Sequence, residues 1–394
     1  ANNVGLFTSS GAGAAPSLQL GDSLAGLGGA TLNRLHQVVQ SDTGLLGVAA
    51  RLGGTGVNAG NDTLALISDT SPALQNFLRE GDATPAGGGG DLFGQFVPRM
   101  ALTSVNGAFT AAIQSLPATN QAVFAITASG ATDHLVARRG DLSPDDMGNP
   151  GVGNFSTFLT ETGGRGLAVL RATVAGAGVT GANNEGLWME TAGPPLELAF
   201  REGDAVPGLP AGVVWSRFLQ FWRVGPSNDQ ILLHARLRGP GVTGRNDGVL
   251  ALRQEDRSIL ILLREGDPLP HCGGGTIGSI QRVAASDGGK FVALASVAGN
   301  ANRLATQALF VGDTGVNLVL PGLRHARLAQ LKGVIHQSPL GGNTTLRGLG
   351  LSPALTDATG AGGKGLPNAV NNDGTAALLF LFDNKAVEIL KGQP

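Results

Sequence analysis

The chain has 394 residues, enough for two or three ordinary domains or one large ring of repeats, and 42% of them are apolar, which supplies a substantial core. A net charge of −2, a pI near 6.3 and the lack of any basic stripe exclude a nucleic-acid surface. No apolar run reaches the ~18–20 residues that span a bilayer, and a single cysteine, Cys272, excludes an intrachain disulfide.

Glycine is 63 of 394 residues without a collagen-like period, and it clusters between apolar runs where turns need positive φ. The absence of Tyr and the excess of Arg over Lys read as a genomic base-composition bias. Low Lys, one Cys and a start at Ala1-Asn2 without Met predict an exported bacterial protein whose signal peptide has been removed.

In chain order, the first element is Ala1–Thr8, ANNVGLFT, which matches Ala182–Met189, ANNEGLWM. Ser17–Asp22 follows and ends in LQLGD, the first copy of a phrase made of an apolar run and Arg-Glu-Gly-Asp. The phrase returns as LREGD at Leu78–Asp82, ARRGD at Ala137–Asp141, FREGD at Phe200–Asp204, LREGD at Leu263–Asp267 and ILKG at Ile389–Gly392. From Asp22 the steps to Asp82, Asp141, Asp204 and Asp267 are 60, 59, 63 and 63 residues, the mark of a repeat architecture.

A second recurring turn precedes an apolar strand in several repeats. It reads GVNAGNDTLAL at Gly56–Leu66, GVTGANNEGLWM at Gly178–Met189 and GVTGRNDGVLAL at Gly241–Leu252, and it shortens to TNQAVFAI at Thr119–Ile126 and ATQALFVG at Ala305–Gly312. An Asn/Asp-Gly pair between apolar strands is hairpin chemistry, because both central residues tolerate positive φ. A calcium loop would need six or more oxygens, and these turns hold few acids each.

The repeat Arg201–Leu263 shows the plan most clearly. A Pro/Gly turn, AVPGLPAG, leads to Val213–Val224, then Gln230–Leu237, the GPGVTGRNDG turn, Val249–Arg253 and Ser258–Leu263. These are four short apolar or β-branched segments bounded by Gly, Pro, Asn and Asp, so each repeat is predicted to hold four strands and little helix. Four antiparallel strands repeated about six times predict an all-β chain, a β-propeller of four-stranded blades in a single domain over residues 1–394.

The blades fall at 23–82, 83–141, 142–204, 205–267 and 268–322, and 323–394 holds the last blade with a Gly-rich insertion at Ser352–Pro367. Residues 1–22 supply closing strands that join the C-terminal blade, where Asn371–Leu390 is a partial repeat, and so remove two open edges. The last stretch joined to the first is about 90 residues, against a unit of about 60, so six blades fit best and seven is the alternative.

The REGD turn with its Pro/Gly sequel, the GVTG-x-N-[ND]-[DE]-G hairpin and the polar-Gly-then-Ala/Phe strand resemble the secreted bacterial choice-of-anchor tandem repeat NxxGxxAF-containing proteins. The naming motif has its Asn and Gly at Asn371–Gly374, with copies in register at Ser41–Gly44, Ser104–Gly107, Gly163–Gly166 and Ser286–Gly289, and Gln230 in place of the Gly. The resemblance spans nearly the whole chain and implies export and attachment at the cell surface. It implies no activity.

Several apparent sites dissolve in register. Gly21-Asp22-Ser23-Leu24 spells an esterase signature, yet its Gly-Asp is the repeat's own punctuation and no Asp-x-x-His follows. Arg139-Gly140-Asp141 spells an adhesion tripeptide, yet it stands where other repeats read Glu-Gly-Asp. In this phrase the Asp is expected to accept backbone N–H bonds in a turn, and the Arg to pair with it or with a neighbouring blade.

His36, His134, His234, His271, His325 and His336 have no metal-ligand spacing, and Cys272 next to His271 would point to the opposite face of a strand. Trp188, Trp215 and Trp222 lie in apolar strands and read as inter-sheet core. The sequons at Asn61 and Asn343 carry no weight in a bacterial protein. No pair of acids stands out as a glycosidase pair would require. No catalytic, cofactor-binding or metal-binding residue is therefore singled out, and no cofactor is expected.

The function expected is a non-catalytic, exported or cell-surface structural module that binds protein partners or its own copies, as in a fibre or lattice. No nucleic acid and no membrane span are expected. The alternative is a carbohydrate- or ligand-binding propeller, and more distantly a propeller lyase or glycosidase.

Overall fold

The computed structural model describes residues 5–9, 14–24, 26–40, 45–68, 74–85, 91–102, 106–114, 121–127, 133–145, 150–164, 167–191, 196–225, 230–269, 274–286, 288–300, 303–315, 326–337, 341–351, 370 and 375–392. Every named element among them is a β-strand.

Strands β1 (Gly5–Ser9) and β2 (Ala14–Gln19) form a two-stranded sheet. The first full sheet holds β3 (Ala30–Gln40), β4 (Leu46–Gly54), β5 (Thr63–Ser68) and β6 (Leu74–Arg79). The second holds β7 (Phe93–Leu102), β8 (Asn106–Ile113), β9 (Gln121–Thr127) and β10 (His134–Arg138). The third has five strands, β11 (Leu142–Pro144), β12 (Pro150–Gly164), β13 (Leu167–Ala175), β14 (Glu185–Met189) and β15 (Glu197–Arg201).

The fourth holds β16 (Val214–Val224), β17 (Gln230–Arg238), β18 (Gly248–Arg253) and β19 (Ile259–Arg264). The fifth holds β20 (Thr276–Ala285), β21 (Lys290–Ala298), β22 (Gln307–Asp313) and β23 (Ala326–Leu331). The sixth holds β24 (Ile335–Gln337), β25 (Asn343–Leu351), β26 (Ala376–Phe382) and β27 (Val387–Gly392). Each sheet is an antiparallel meander whose strands neighbour one another in chain order. The four-strand repeat plan is thus met in five sheets, and β11 adds a short fifth strand to the third.

The chain comprises two compact units. One comprises Ala1–Phe200 with Ala361–Leu366, the other Arg201–Gly360 with Pro367–Pro394. In the first unit, one core joins Leu18, Leu24 and Leu27 to Leu32, Val48, Leu64 and Leu66 of the first sheet. A second joins Ala65 and Ile67 of the first sheet to Phe93, Phe96, Phe109 and Phe124 of the second. A third joins Val123 and Ala137 of the second sheet to Phe155, Phe158 and Trp188 of the third.

In the other unit, Trp222, Leu232, Leu250 and Leu252 of the fourth sheet pack with Phe291, Ala293 and Phe310 of the fifth. Val292, Leu294 and Leu309 of the fifth sheet pack with Leu349, Leu378, Phe380 and Phe382 of the sixth. Within each unit, sheets adjacent in sequence therefore share a core. This explains why third strands such as β9 and β18 read as unbroken apolar runs and are buried on both faces, whereas β26 alternates buried and exposed.

The two segments expected to supply closing strands, β1 and β2, pair with each other, and the sixth sheet draws its four strands from Ile335–Gly392. The fifth blade was placed at 268–322, whereas its last strand is Ala326–Leu331. The inserted loop Ser352–Pro367, His271, Cys272, His325 and the residues 371–374 lie outside the described residues.

Candidate functional site

The recurrent phrase turns out to be a backbone device. Gly21, Gly81, Gly140, Gly203 and Gly266 have φ of +91, +88, +92, +88 and +88, the left-handed region that glycine enters without a Cβ penalty. Their N–H groups donate to the carbonyls of Leu32, Phe93, Phe155, Trp215 and Ile277 at 2.7–2.9 Å. The same five residues donate back to the carbonyls of Asp22, Asp82, Asp141, Asp204 and Asp267 at 2.8–3.0 Å.

Each phrase is therefore a β-turn clipped to the first strand of the sheet that follows it. The Asp side chain tightens the turn, as Asp22 and Asp82 accept the backbone N–H of Gln19 and Arg79 at 2.7 and 3.1 Å. The Arg role is split between hairpin and turn: Arg79 Nε and Arg264 Nε donate to the carbonyls of Asn61 and Asn246, whereas Arg138 reaches Asp141.

A sixth junction escaped the sequence reading. Gly333 has φ +88, donates to Leu346 O at 2.8 Å, and Leu346 donates back to Val334 O at 2.9 Å. Its phrase, Leu331-Lys332-Gly333-Val334, shares only the glycine with REGD, because the bonds run through backbone atoms that any flanking side chain can supply.

The Glu of the phrase is the part with chemistry. Glu265 is 2% exposed and accepts from Gly248 N–H of its own sheet, from Ile280 N–H of the next sheet, both at 3.0 Å, and from Arg236 at 3.2 Å. Glu80 accepts from Thr63 N–H at 3.2 Å and Thr63 Oγ1 at 2.8 Å, and that hydroxyl oxygen accepts Phe96 N–H of the next sheet at 3.1 Å.

The first strands bulge where these donors lie. Register shifts flank Phe96, Phe158 and Ile280, leaving their N–H groups outside the ladder. Where the phrase has Arg139 or Lys332 in place of Glu, the third strand begins with Gln121 or Gln307. Their Oε1 atoms take the N–H of Phe158 at 3.3 Å and of Leu349 at 3.4 Å. Acceptor and location are exchanged together, so the N–H groups of Phe96, Phe158, Ile280 and Leu349 are each met.

Gln37 does comparable work between the first two sheets, binding Met100 O at 3.0 Å and Met100 N–H at 2.5 Å. Room is also set by glycine: a Cβ at Gly248 would lie 2.3 Å from the Glu265 carboxyl group.

The Asn/Asp hairpins are held by their own asparagines. Asn61, Asn183 and Asn246 accept the N–H of Asn58, Thr180 and Thr243 at 2.6–2.7 Å and donate to the carbonyls of Gly56, Gly178 and Gly241. Their acids are ion-paired: Asp62 with Arg51, Glu185 with Arg171 at 2.8 Å and Asp247 with Arg236. No group of three or more metal-ligating side chains lies together among the described residues.

Ser23 sits in a bridge with Thr31 just past the first junction, and Arg139-Gly140-Asp141 is the third. Trp188, Trp215 and Trp222 are buried as core, and Trp188 Nε1 donates to Pro144 O at 3.0 Å. His134 meets Glu190 at 2.6 Å, and His336 meets Gln330 at 2.6 Å. His36 is held below the ordinary histidine range by burial and by Arg34 and Arg51.

His234 stands apart. It is 6% exposed, in the middle of β17 opposite Gln220 and Leu250, and neither ring nitrogen has a hydrogen-bond partner. Burial, and then the positive charge of Arg236, bring its pKa down to about 4. The buried Trp222 Nε1 of the same sheet also lacks a partner. Nothing in the strand's sequence marks His234, since its neighbours are ordinary core residues.

Serial antiparallel sheets joined by repeated glycine turns and side-chain latches define an all-β tandem-repeat protein. The chain belongs to the family of unknown function DUF7453, which matches residues 1–246 and, overlapping them, 106–338. No curated protein matches the chain. An oligogalacturonate lyase in complex with manganese is similar to it at 10% identity and a TM-score of 0.36, over 95% of this chain and 95% of that one. A Penicillium chrysogenum alpha-L-arabinanase complexed with arabinobiose is similar at 12% identity and a TM-score of 0.31, over 100% and 98%. A mutant Synechocystis apocarotenoid oxygenase is similar at 12% identity and a TM-score of 0.29, over 78% and 67%. Each is a distant likeness, and none carries a residue role into this chain.

Proposed function

We propose that the chain is a non-catalytic β-propeller module, with the six full sheets as blades and the β1–β2 pair as the strands that close the series. It acts outside the cell as an interaction scaffold that assembles with copies of itself. The observation that carries this reading is the commitment of the buried acids: Glu80 and Glu265 each hold backbone donors at a sheet junction, one of them with an Arg. A catalytic carboxylate needs an oxygen open to substrate, whereas these are filled by the fold.

The repeated use of one latch along the chain suits a scaffold, in which every repeat has the same task. The motifs shared with exported tandem-repeat proteins support the cell-surface address. Sedimentation and negative-stain imaging over a wide concentration range test the reading, with regular assemblies as the expected result. A strict monomer that binds defined oligosaccharides on a glycan array would replace it with a carbohydrate-binding module.

A further inference from the structure

The seam between the fourth and fifth sheets collects polar atoms that its own packing leaves unmet. Among the described residues, Trp222 Nε1, Gln230 Oε1, Thr314 Oγ1 and both ring nitrogens of His234 are buried without a hydrogen-bond partner. Trp222, Gln230 and His234 lie in the fourth sheet, and Thr314 directly follows β22 of the fifth. All four belong to one compact unit.

They share a face. Gln230, Leu232, His234 and Arg236 alternate along β17 and so project from one side of the sheet. Leu232, with Trp222 opposite it, packs in the core shared with the fifth sheet. At one end of the seam Gly225 and Gly289 cross closely. A Cβ on Gly289 would collide with Thr314 Oγ1 and lie 3.4 Å from Gly225 N, and one on Gly225 would collide with Gln230 Oε1. The other end is latched, since Glu265 accepts Ile280 N–H at 3.0 Å and Gly266 N–H donates to Ile277 O at 2.7 Å.

The next seam lacks this chemistry. In register with Trp222, Leu232 and His234, the fifth sheet presents Ala284, Val292 and Leu294 to the sixth. Its counterpart of Gln230 is Lys290, which is ion-paired with Asp313. An orphaned polar group weakens the closed state, because water satisfies it once the seam is open. The fourth–fifth seam carries that penalty and the fifth–sixth seam does not.

We propose that the fourth–fifth seam opens in acid, parting at its Gly225–Gly289 end and hinged on the Glu265 latch when His234 takes a proton. This goes beyond the scaffold reading and does not depend on it. A proton on His234 meets no acceptor in the closed seam. Gln220 and Leu250 lie opposite it on its own sheet, and Val283, Phe291, Ala293 and Ala295 belong to the facing wall. Arg236 is its charged neighbour along β17 among the described residues, itself paired with Asp247 and Glu265. Burial and that guanidinium hold the closed ring at about 4, whereas an open ring returns to 6.5, so the open population rises about 30-fold from pH 8 to pH 5.

Thiol labelling of the full chain in a Cys272→Ser background reads the opening. Ala293→Cys places a thiol on the fifth-sheet wall of the seam, and Ala172→Cys places one in the core between the second and third sheets. Both alanines are 0% exposed. Thermal melts confirm that each variant folds, and rates with 4,4′-dithiodipyridine are divided by those of a short cysteine peptide at the same pH. From pH 8 to pH 5 the normalised rate for Ala293→Cys is expected to rise about 30-fold, and to change less than about twofold once His234→Leu is added. Ala295→Cys, equally buried and nearer the latch, should follow the same pattern at a lower rate.

Equal rates for Ala293→Cys and Ala172→Cys at every pH would overturn the proposal, because the opening would then be global unfolding. A flat profile at position 293, or a rise that survives His234→Leu, would also overturn it. Faster labelling at position 295 than at 293 would overturn the hinge at the Glu265 latch.

Discussion

Replacing His234 with Leu isolates one term in the acid sensitivity of this fold. In the folded chain His234 has a pKa of about 4, against 6.5 for a free histidine, because it is buried and lies near Arg236. Above pH 6.5 the ring is neutral in both folded and unfolded chains and contributes no pH dependence. As pH falls below that value the unfolded chain binds the proton first, so stability drops, and the loss levels off once the folded ring also protonates near pH 4.

A depression of this size corresponds to about 3 kcal/mol between neutral pH and pH 4. Leucine is the residue at the equivalent second-strand position in the fifth and sixth sheets, Leu294 and Leu379, so the site accepts its shape. His234→Leu also removes two buried ring nitrogens without partners, a gain of about 1–3 kcal/mol at neutral pH.

Urea unfolding followed by tryptophan fluorescence at several pH values measures both effects, since Trp215 and Trp222 lie in the same sheet. Carboxylates elsewhere titrate equally in both proteins, so the difference between the two stability curves belongs to position 234. That difference is expected to widen by about 3 kcal/mol on acidification. Parallel curves would refute the reasoning, because they would mean that the ring protonates in the folded chain as readily as in the unfolded one.

Other outcomes follow from the junctions. Glu265→Ala strips the acceptor from Gly248 N–H, Ile280 N–H and Arg236 and should cost about 3–5 kcal/mol in chemical unfolding. Gln121→Ala leaves Phe158 N–H unmet, with an expected loss of about 1–3 kcal/mol. Adding Arg139→Glu to Gln121→Thr should recover part of that loss by rebuilding the Glu80–Thr63 arrangement, and a double-mutant cycle with no coupling would count against the exchange of acceptors. Gly266→Ala meets both a φ of +88 and a Cβ contact of 3.1 Å to Asn246, so thermal melts should show a loss of about 1–3 kcal/mol.

Much of this protein is local and was therefore legible in its amino-acid sequence. The spacing of Gly-Asp phrases located five of the six junctions, since positive φ demands glycine whatever the tertiary surroundings. The Asn of each GVTG-type turn signalled a hairpin, because its side chain bonds the backbone only a few residues away. Alternating and continuous apolar runs identified four strands per repeat. The reading of Ser23 and Arg139–Asp141 as parts of the repeat also needed only register.

Tertiary structure decided what depends on residues far apart in the chain. Gly333 is a junction because its N–H finds Leu346 O, a bond that leaves no side-chain signature beyond one glycine. The carboxylate of Glu265 belongs to two sheets at once, and the trade of Glu for Gln121 or Gln307 shows only when the bulged N–H groups are located in space. His234 looks like any polar residue in a strand until both its faces are covered. Repetition fixes what each sheet is made of through short-range chemistry, whereas which groups meet across a sheet junction is a property of long-range packing alone.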